Sequence, residues 1–136
     1  MDSDRARDFL RAHHRAVMAT TRADGTTQMS PITAGVDADG RVVVSSRETA
    51  YKVRHVRALP YAAICAFTDG FFGEWVQVEG PVDVVSLPDA MEPLVDYYRA
   101  ISGEHPDWDD YRAAMTSDRR VVLRLTIERS GPTVSG

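Results

Sequence analysis

The chain has 136 residues, a hydrophobic fraction of 43% and a formal net charge of −4 at pH 7. This length predicts a single domain over residues 1–136 with a core of its own. The acidic balance argues against a general nucleic-acid-binding protein, which needs a surplus of Lys and Arg. The polar, acidic start lacks the features of a signal peptide, and no apolar run is long enough to span a bilayer. We therefore expect a cytoplasmic protein that makes no membrane contact.

The first half of the chain predicts one helix followed by antiparallel strands. The helix is expected over residues 4–14, and the strands over 16–21, 27–36 and 41–46. Asp-Gly turns join these strands, and such turns favour hairpins. Pro31 falls within the second strand and predicts a bulge or an edge position, because proline donates no hydrogen bond to a ladder.

The second half predicts further short strands and two helices. Strands are expected over 61–68, 75–79, 82–85 and 121–127, and helices over 87–101 and 107–115. Gly80-Pro81 is expected to interrupt the β structure between the strands predicted over 75–79 and 82–85. About six or seven antiparallel strands with flanking helices predict a mainly β fold, either a small barrel or a strongly curved sheet. Residues 130–136 are expected to form a flexible tail.

Lysine occurs once in this chain, at Lys52, against fifteen arginines. It lies in the densest basic segment, residues 47–57, between two predicted strands. Connections on a rigid scaffold often carry binding groups, and a compact cation near a helix start is a good phosphate ligand. A solvated helix face explains the same charges equally well.

The sequence contains no motif for binding a nicotinamide dinucleotide or a nucleoside triphosphate, and no metal cluster or nucleophile stands out. A redox enzyme remains compatible with this pattern, because its cofactor carries the difficult chemistry. Polar residues suited to an anionic planar cofactor lie on or just after two predicted strands: Gln28, Ser30, Ser45, Ser46, Thr49, Lys52 and Arg54. Trp75, with Phe71 and Phe72, is suited to walling in an aromatic ring or to core or dimer packing.

Four segments, residues 17–32, 52–56, 75–82 and 97–112, carry a resemblance to a known family. They resemble, in turn, the first hairpin, the phosphate-binding helix, the strand before the inter-barrel connection and a marker segment. The family is the flavin-binding split β-barrel family related to pyridoxamine 5′-phosphate oxidase. The marker segment resembles the actinobacterial branch that uses the deazaflavin coenzyme F420. The resemblance covers roughly residues 8–127.

The resemblance implies a split β-barrel that forms a homodimer, with cofactors in clefts at the interface. The activity it implies is hydride transfer from reduced F420 to a small conjugated or quinone-like acceptor. The cofactor's phosphate would lie against Lys52, its ring along the strand of Gln28 and Ser30, and Trp75 and Gln77 would close the cleft from the other subunit. The implied cofactor-binding residues are Gln28, Ser30, Ser45, Ser46, Ala50, Tyr51, Lys52, Arg54, Trp75 and Gln77, with no catalytic side chain and no metal ligand.

Two positions depart from the family pattern. Relatives often carry arginine where this chain has Ala50, so one phosphate contact is lost or moved to Arg47 or Arg54. Relatives also carry Asn-Leu where this chain has His55-Val56. Three other functions stay open: an FMN enzyme, including pyridoxamine phosphate oxidation; a non-catalytic carrier or sensor that binds a cofactor or an apolar ligand; and, least favoured, an oligonucleotide-binding barrel.

Overall fold

The protein is described by a computed structural model that covers residues 1–70 and 72–132. The helices are α1 (Ser3–Ala12), α2 (Tyr51–Ala58), α3 (Met91–Ser102) and α4 (Trp108–Ser117). The strands are β1 (Arg15–Thr21), β2 (Thr27–Val36), β3 (Val42–Arg47), β4 (Tyr61–Phe67), β5 (Trp75–Val85), β6 (Arg120–Leu125) and β7 (Arg129–Gly131). Within these described residues, no helix has the length and apolar character needed to cross a membrane.

Six of the strands close into an antiparallel barrel. Their order is β4-β1-β2-β3-β6-β5, and the pairing of β4 with β5 completes the circle. β7 lies outside the barrel and pairs with β5. The predicted mainly β, antiparallel split barrel with flanking helices is confirmed. The edge position predicted for Pro31 is also found, because β3 pairs with β2 only over Ala34–Val36.

The predicted break at Gly80-Pro81 is wrong, since β5 runs without interruption from Trp75 to Val85. The strand changes partners there, from β4 up to Pro81 to β6 from Val82 onward. A Cβ atom at Gly80 would overlap the backbone carbonyl oxygen of Thr126, so glycine permits this close crossing. The Thr126 N–H donates to the Pro81 carbonyl at 2.9 Å, which joins the two segments. The two breakers therefore bend one strand between two partners.

Two other boundaries differ from the sequence prediction. α3 begins at Met91 and not at residue 87, because turns occupy the preceding residues: the Ala90 N–H donates to the Ser86 carbonyl at 2.9 Å and the Met91 N–H to that of Pro88 at 3.1 Å. The prediction of a flexible tail from residue 130 is wrong for its first two residues, because Ser130 and Gly131 belong to β7 and pair with β5. Residues 133–136 lie outside the described residues.

The core has two parts, and together they fix the helices against the barrel. Val53 and Val56 place one face of α2 in the main barrel core, as their spacing predicts. Leu94 and Val95 of α3, with Tyr111 of α4, form a second cluster against β3 and β6. The helices α2, α3 and α4 therefore meet the same barrel from different sides, and a cavity lies between them.

Candidate functional site

A cavity of about 660 Å³ lies where the N-terminal end of α2 faces β2, β3, β6 and the α3–α4 pair. We call it the Lys52 cavity. The residues that line it are Pro31, Ile32, Thr33, Ser45, Ser46, Arg47, Ala50, Lys52, Tyr97, Tyr98, Tyr111, Met115 and Arg120. The lining combines cationic and aromatic side chains, which suits a ligand with an anionic group and a flat ring.

The first turn of α2 is open to an anion. Ala50 occupies the N-cap position and makes no side-chain cap hydrogen bond, and the first turn contains no acidic residue. Helix N-termini carry a partial positive charge and unsatisfied N–H groups, so both features leave this end of α2 uncompensated. A hydrogen bond of 2.9 Å between Oγ1 of buried Thr20 and Nδ1 of His55 ties the helix to β1. The unusual His55 therefore has a structural partner.

Three cations converge at this end of the cavity. Arg47 and Arg120 are direct cross-strand partners in the β3–β6 ladder, and Lys52 projects from α2 into the same cavity. Among the described residues, Asp118 is the sole carboxylate within ion-pair distance of any of the three. Its Oδ2 lies 3.9 Å from Nη2 of Arg47 and 3.6 Å from Nε of Arg120.

The electrostatic state of Lys52 reflects this crowding. Burial lowers the pKa of its ammonium group below the ordinary value, and the nearby Arg120 guanidinium lowers the pKa further. No carboxylate in the described part of the chain forms an ion pair with Lys52. An anion bound here would replace the missing counter-charge and restore the pKa.

A tyrosine-rich wall from α3 and α4 faces the cations. The Tyr97 hydroxyl donates to the Thr33 carbonyl at 2.8 Å, and the Tyr111 hydroxyl donates to the Leu94 carbonyl at 2.8 Å. Burial raises the pKa of Tyr111 to about 12, so its hydroxyl stays protonated at neutral pH. Tyr98 lines the same wall and packs against Tyr111 with ring centroids 5.1 Å apart. These rings form a rigid, neutral surface suited to a planar ligand.

The structure divides nine of the ten sequence-predicted site residues among three cavities, and the tenth, Ser30, lines none of them. Ser45, Ser46, Ala50 and Lys52 line the Lys52 cavity. Gln28, Tyr51 and Arg54 line a second cavity of about 430 Å³ on the other side of the α2 N-terminus. Trp75 and Gln77 line a third, of about 300 Å³, beside β7. Ser30 is partly buried and pairs with Met18 of β1. One subunit thus does not bring all ten together.

Sequence reasoning missed the residues that complete the Lys52 cavity from distant parts of the chain. Arg120 begins β6, and its position opposite Arg47 depends on a strand pairing that no local pattern reveals. Tyr97, Tyr98 and Tyr111 fall within the marker segment, so the sequence did contain a signal for them. Arg47, named only as a replacement for the arginine missing at Ala50, does line the cavity, whereas Arg54 lines the second one.

Comparison with known proteins identifies the family of the chain. The family profile of pyridoxamine 5′-phosphate oxidase matches residues 3–132. The chain belongs to the pyridoxamine 5′-phosphate oxidase family. This membership establishes the split-barrel relationship, and it leaves the individual cofactor and substrate to be determined.

Solved structures share the fold of this family member at low sequence identity. A conserved hypothetical protein from Mycobacterium tuberculosis is 19% identical with a TM-score of 0.77, and the match covers 100% of this chain and 93% of that one. A structure described as an F420 reductase is 20% identical with a TM-score of 0.69, covering 91% and 94%. General Stress Protein 26 from Bacillus anthracis is 10% identical with a TM-score of 0.67, covering 94% and 90%.

The lowered pKa of Lys52 predicts that this residue opposes folding of the ligand-free protein. At neutral pH the ammonium group is charged and lacks a counter-ion, so Lys52→Met should raise the free energy of unfolding modestly. The gain should shrink as pH rises through the lowered pKa towards 10.5, because the wild-type lysine then becomes neutral.

Urea unfolding of both proteins at a series of pH values measures this difference. Arg11→Gln is the matched control, because Arg11 is paired with Asp8 at 2.8 Å and its loss should give no such gain. A Lys52→Met protein that is less stable than wild type at neutral pH would contradict the interpretation.

Proposed function

We propose that this chain is an oxidoreductase that binds the deazaflavin coenzyme F420 and reduces a small conjugated or quinone-like acceptor. The observation that carries the proposal is the Lys52 cavity, which is lined by three cations that are only partly compensated and by an aromatic wall. When bound, the reduced deazaflavin supplies the hydride. The protein's part is to bind, orient and shield the reactants. We also propose that the protein is located in the cytoplasm, and this proposal rests on the sequence alone.

The cationic end fits the phosphate of such a cofactor. The buried hydroxyl of Ser46 and the ammonium group of Lys52 line the cavity, and the first turn of α2 adds N–H groups without a competing acid. The Nε of Arg120 is buried and has no hydrogen-bond partner in the described part of the chain. A buried donor without a partner is costly unless a ligand satisfies it. These groups supply the contacts that the arginine missing at Ala50 would have made.

The rest of the cavity fits a flat ring and contains no acid–base pair. β2 presents Pro31 to Thr33 at an edge that β3 does not cover, and the tyrosine wall adjoins this edge through the hydrogen bond from Tyr97 to Thr33. The described side chains that line the cavity include no carboxylate and no histidine. A hydride carried by the cofactor requires no such pair on the protein.

F420 is preferred over FMN on two grounds. Residues 97–112 resemble the marker segment of the F420 branch, and they supply the tyrosine wall of the cavity. One structural neighbour is described as an F420 reductase. FMN is the second candidate, because it shares a phosphate and a flat tricyclic ring with F420. The relative affinities of the protein for F420 and for FMN distinguish these two candidates.

We also propose a homodimer that completes the site. Met29, Tyr61 and Phe67 are exposed apolar side chains on the outward face of the β2-β1-β4 sheet, with exposed fractions of 69%, 40% and 39%. Pro31 lies on this face and also lines the Lys52 cavity, so the cavity opens beside it. Trp75 and Gln77 lie on the same face, paired with Phe67 and Cys65. A second copy seated here would bring its own Trp75 and Gln77 near the cavity.

Fluorescence titration of the purified protein with F420 and with FMN tests the cofactor assignment. We expect F420 to bind more tightly than FMN, and Lys52→Ala to weaken F420 binding by about tenfold or more, because a charged hydrogen bond is lost. Reduced F420 should then reduce 1,4-naphthoquinone faster with the protein present than in a control without it.

Each contrary outcome has a defined meaning. Tighter binding of FMN would favour the second candidate, and binding of F420 without any turnover would favour a carrier. If Lys52→Ala bound F420 as tightly as wild type, the assigned phosphate site would be incorrect. Arg11→Gln, which removes one charge far from the cavity, is the control for a general charge effect.

The dimer is tested by placing a charge on the apolar face. We expect Phe67→Glu to convert a dimer into a monomer, because an interface of apolar side chains does not tolerate an unpaired carboxylate. Sedimentation velocity measures the change. Arg11→Gln alters an exposed residue of α1, which contributes no residue to that face, and should leave the dimer intact. A monomeric wild-type protein would rule the dimer out.

A further inference from the structure

The strand register places two like charges directly opposite each other. Arg47 and Arg120 are Cα partners in the β3–β6 ladder, next to Ser46 and Val121. Directly opposed like charges in an antiparallel pair destabilise a sheet. Lys52 adds a third cation in the same cavity. A sheet that carries such an arrangement needs a negative group between the cations.

Asp118 supplies only part of that negative charge. Its Oδ2 is within ion-pair distance of both arginines, at 3.9 Å and 3.6 Å, yet neither distance is short enough for a hydrogen bond. The Nε of Arg120, although buried, therefore has no hydrogen-bond acceptor among the described residues. A carboxylate committed to this position would be expected to approach and bond one guanidinium directly.

Asp118 also occupies a position that is unfavourable for an acid. It is the C-cap of α4, whose last turn contains no basic residue. Carboxylates are disfavoured at the negative end of a helix, so the helix itself gives no reason for an aspartate here. The nearby cations give that reason, since Asp118 lies against Arg47 and Arg120 and against no other described cation.

We propose that Asp118 is a built-in counter-ion, which offsets the repulsion between Arg47 and Arg120 until a phosphate group binds and takes its place. The bound phosphate is then held by Arg47, Lys52, Arg120 and the hydroxyl of Ser46. The identity of the molecule that carries the phosphate rests on the proposed function. We call these four groups the phosphate clamp, and their binding of a phosphate does not depend on which molecule carries it.

The chemistry of the four groups matches a phosphate group. Guanidinium groups present paired N–H donors that fit phosphate oxygens, whereas the ammonium group of Lys52 acts as a point charge. The Ser46 hydroxyl is buried and makes one long contact of 3.4 Å, to the Arg47 carbonyl, so it can turn to a ligand at little cost. Two arginines in register thus provide the contact that Ala50 does not.

Calorimetric titration with inorganic phosphate at constant ionic strength tests the clamp without any cofactor. We expect Arg120→Gln to weaken phosphate binding by about tenfold or more, as the loss of a charged hydrogen bond implies. Asp118→Asn should instead tighten binding several-fold, because it removes the competing carboxylate. Arg11→Gln carries the same charge change as Arg120→Gln and should bind phosphate within about twofold of wild type.

A second measurement separates binding from folding. Without phosphate, Asp118→Asn should melt at a lower temperature than wild type, because the opposed arginines lose their counter-ion. Added phosphate should restore its melting temperature, as a ligand that binds only the folded state does. If Arg120→Gln does not fold, Arg120→Lys takes its place, and binding weaker than wild type is expected because lysine lacks the planar fork.

Two results would contradict the proposed phosphate clamp. Phosphate binding that is unchanged in the Arg120 variant, or weakened in Asp118→Asn, contradicts it. Competition with F420 and FMN then distinguishes free phosphate from a cofactor phosphate. If the variants follow the expected pattern with inorganic phosphate while neither cofactor binds, the clamp stands and the proposed function fails. If F420 binds Arg120→Gln as tightly as wild type, the clamp fails and the proposed function stands.

Discussion

Positive charge without a matching negative group is the constraint on which this site depends. Arg47, Lys52 and Arg120 share one end of the cavity, and Asp118 alone among the described residues lies within ion-pair distance of any of them. Such an arrangement costs stability in the free protein. Burial adds to the cost because it disfavours the charged form of Lys52, which is why the pKa of Lys52 is lowered. A protein retains this cost where a ligand recovers it, which is typical of binding sites.

The barrel imposes that charge geometry. The β3–β6 register sets Arg47 opposite Arg120, and the closure of β4 on β5 fixes the strand into which α2 leads. Val53 and Val56 anchor α2 in the core, so Lys52 has no freedom to move far from the arginines. The tyrosine wall is fixed in the same way, because the hydroxyl of Tyr97 bonds to β2 and that of Tyr111 to α3. Packing thus determines where the charges lie, and the charges determine which ligand fits.

Local sequence features predicted much of this arrangement. The Asp-Gly turns, the alternation of the strands and the spacing of Val53 and Val56 led to the barrel and to α2. Long-range pairing was not predictable, because no local pattern gives the register that opposes Arg47 to Arg120. The bend of β5 at Gly80 was missed for a related reason, since its partner Thr126 lies far along the chain. The separation of Trp75 from the Lys52 cavity in one subunit likewise follows from the topology.

The most direct test of the account uses the fact that the chain contains one lysine. Protein labelled with ¹³C at the lysine ε carbon gives a single side-chain NMR signal from Lys52, so its titration needs no assignment by mutation. We expect a pKa below 10.5 in the free protein and a clear rise when inorganic phosphate is added, because an anion beside the ammonium group favours its charged form. A pKa of the free protein at the ordinary lysine value, unchanged by phosphate, would contradict the central claim.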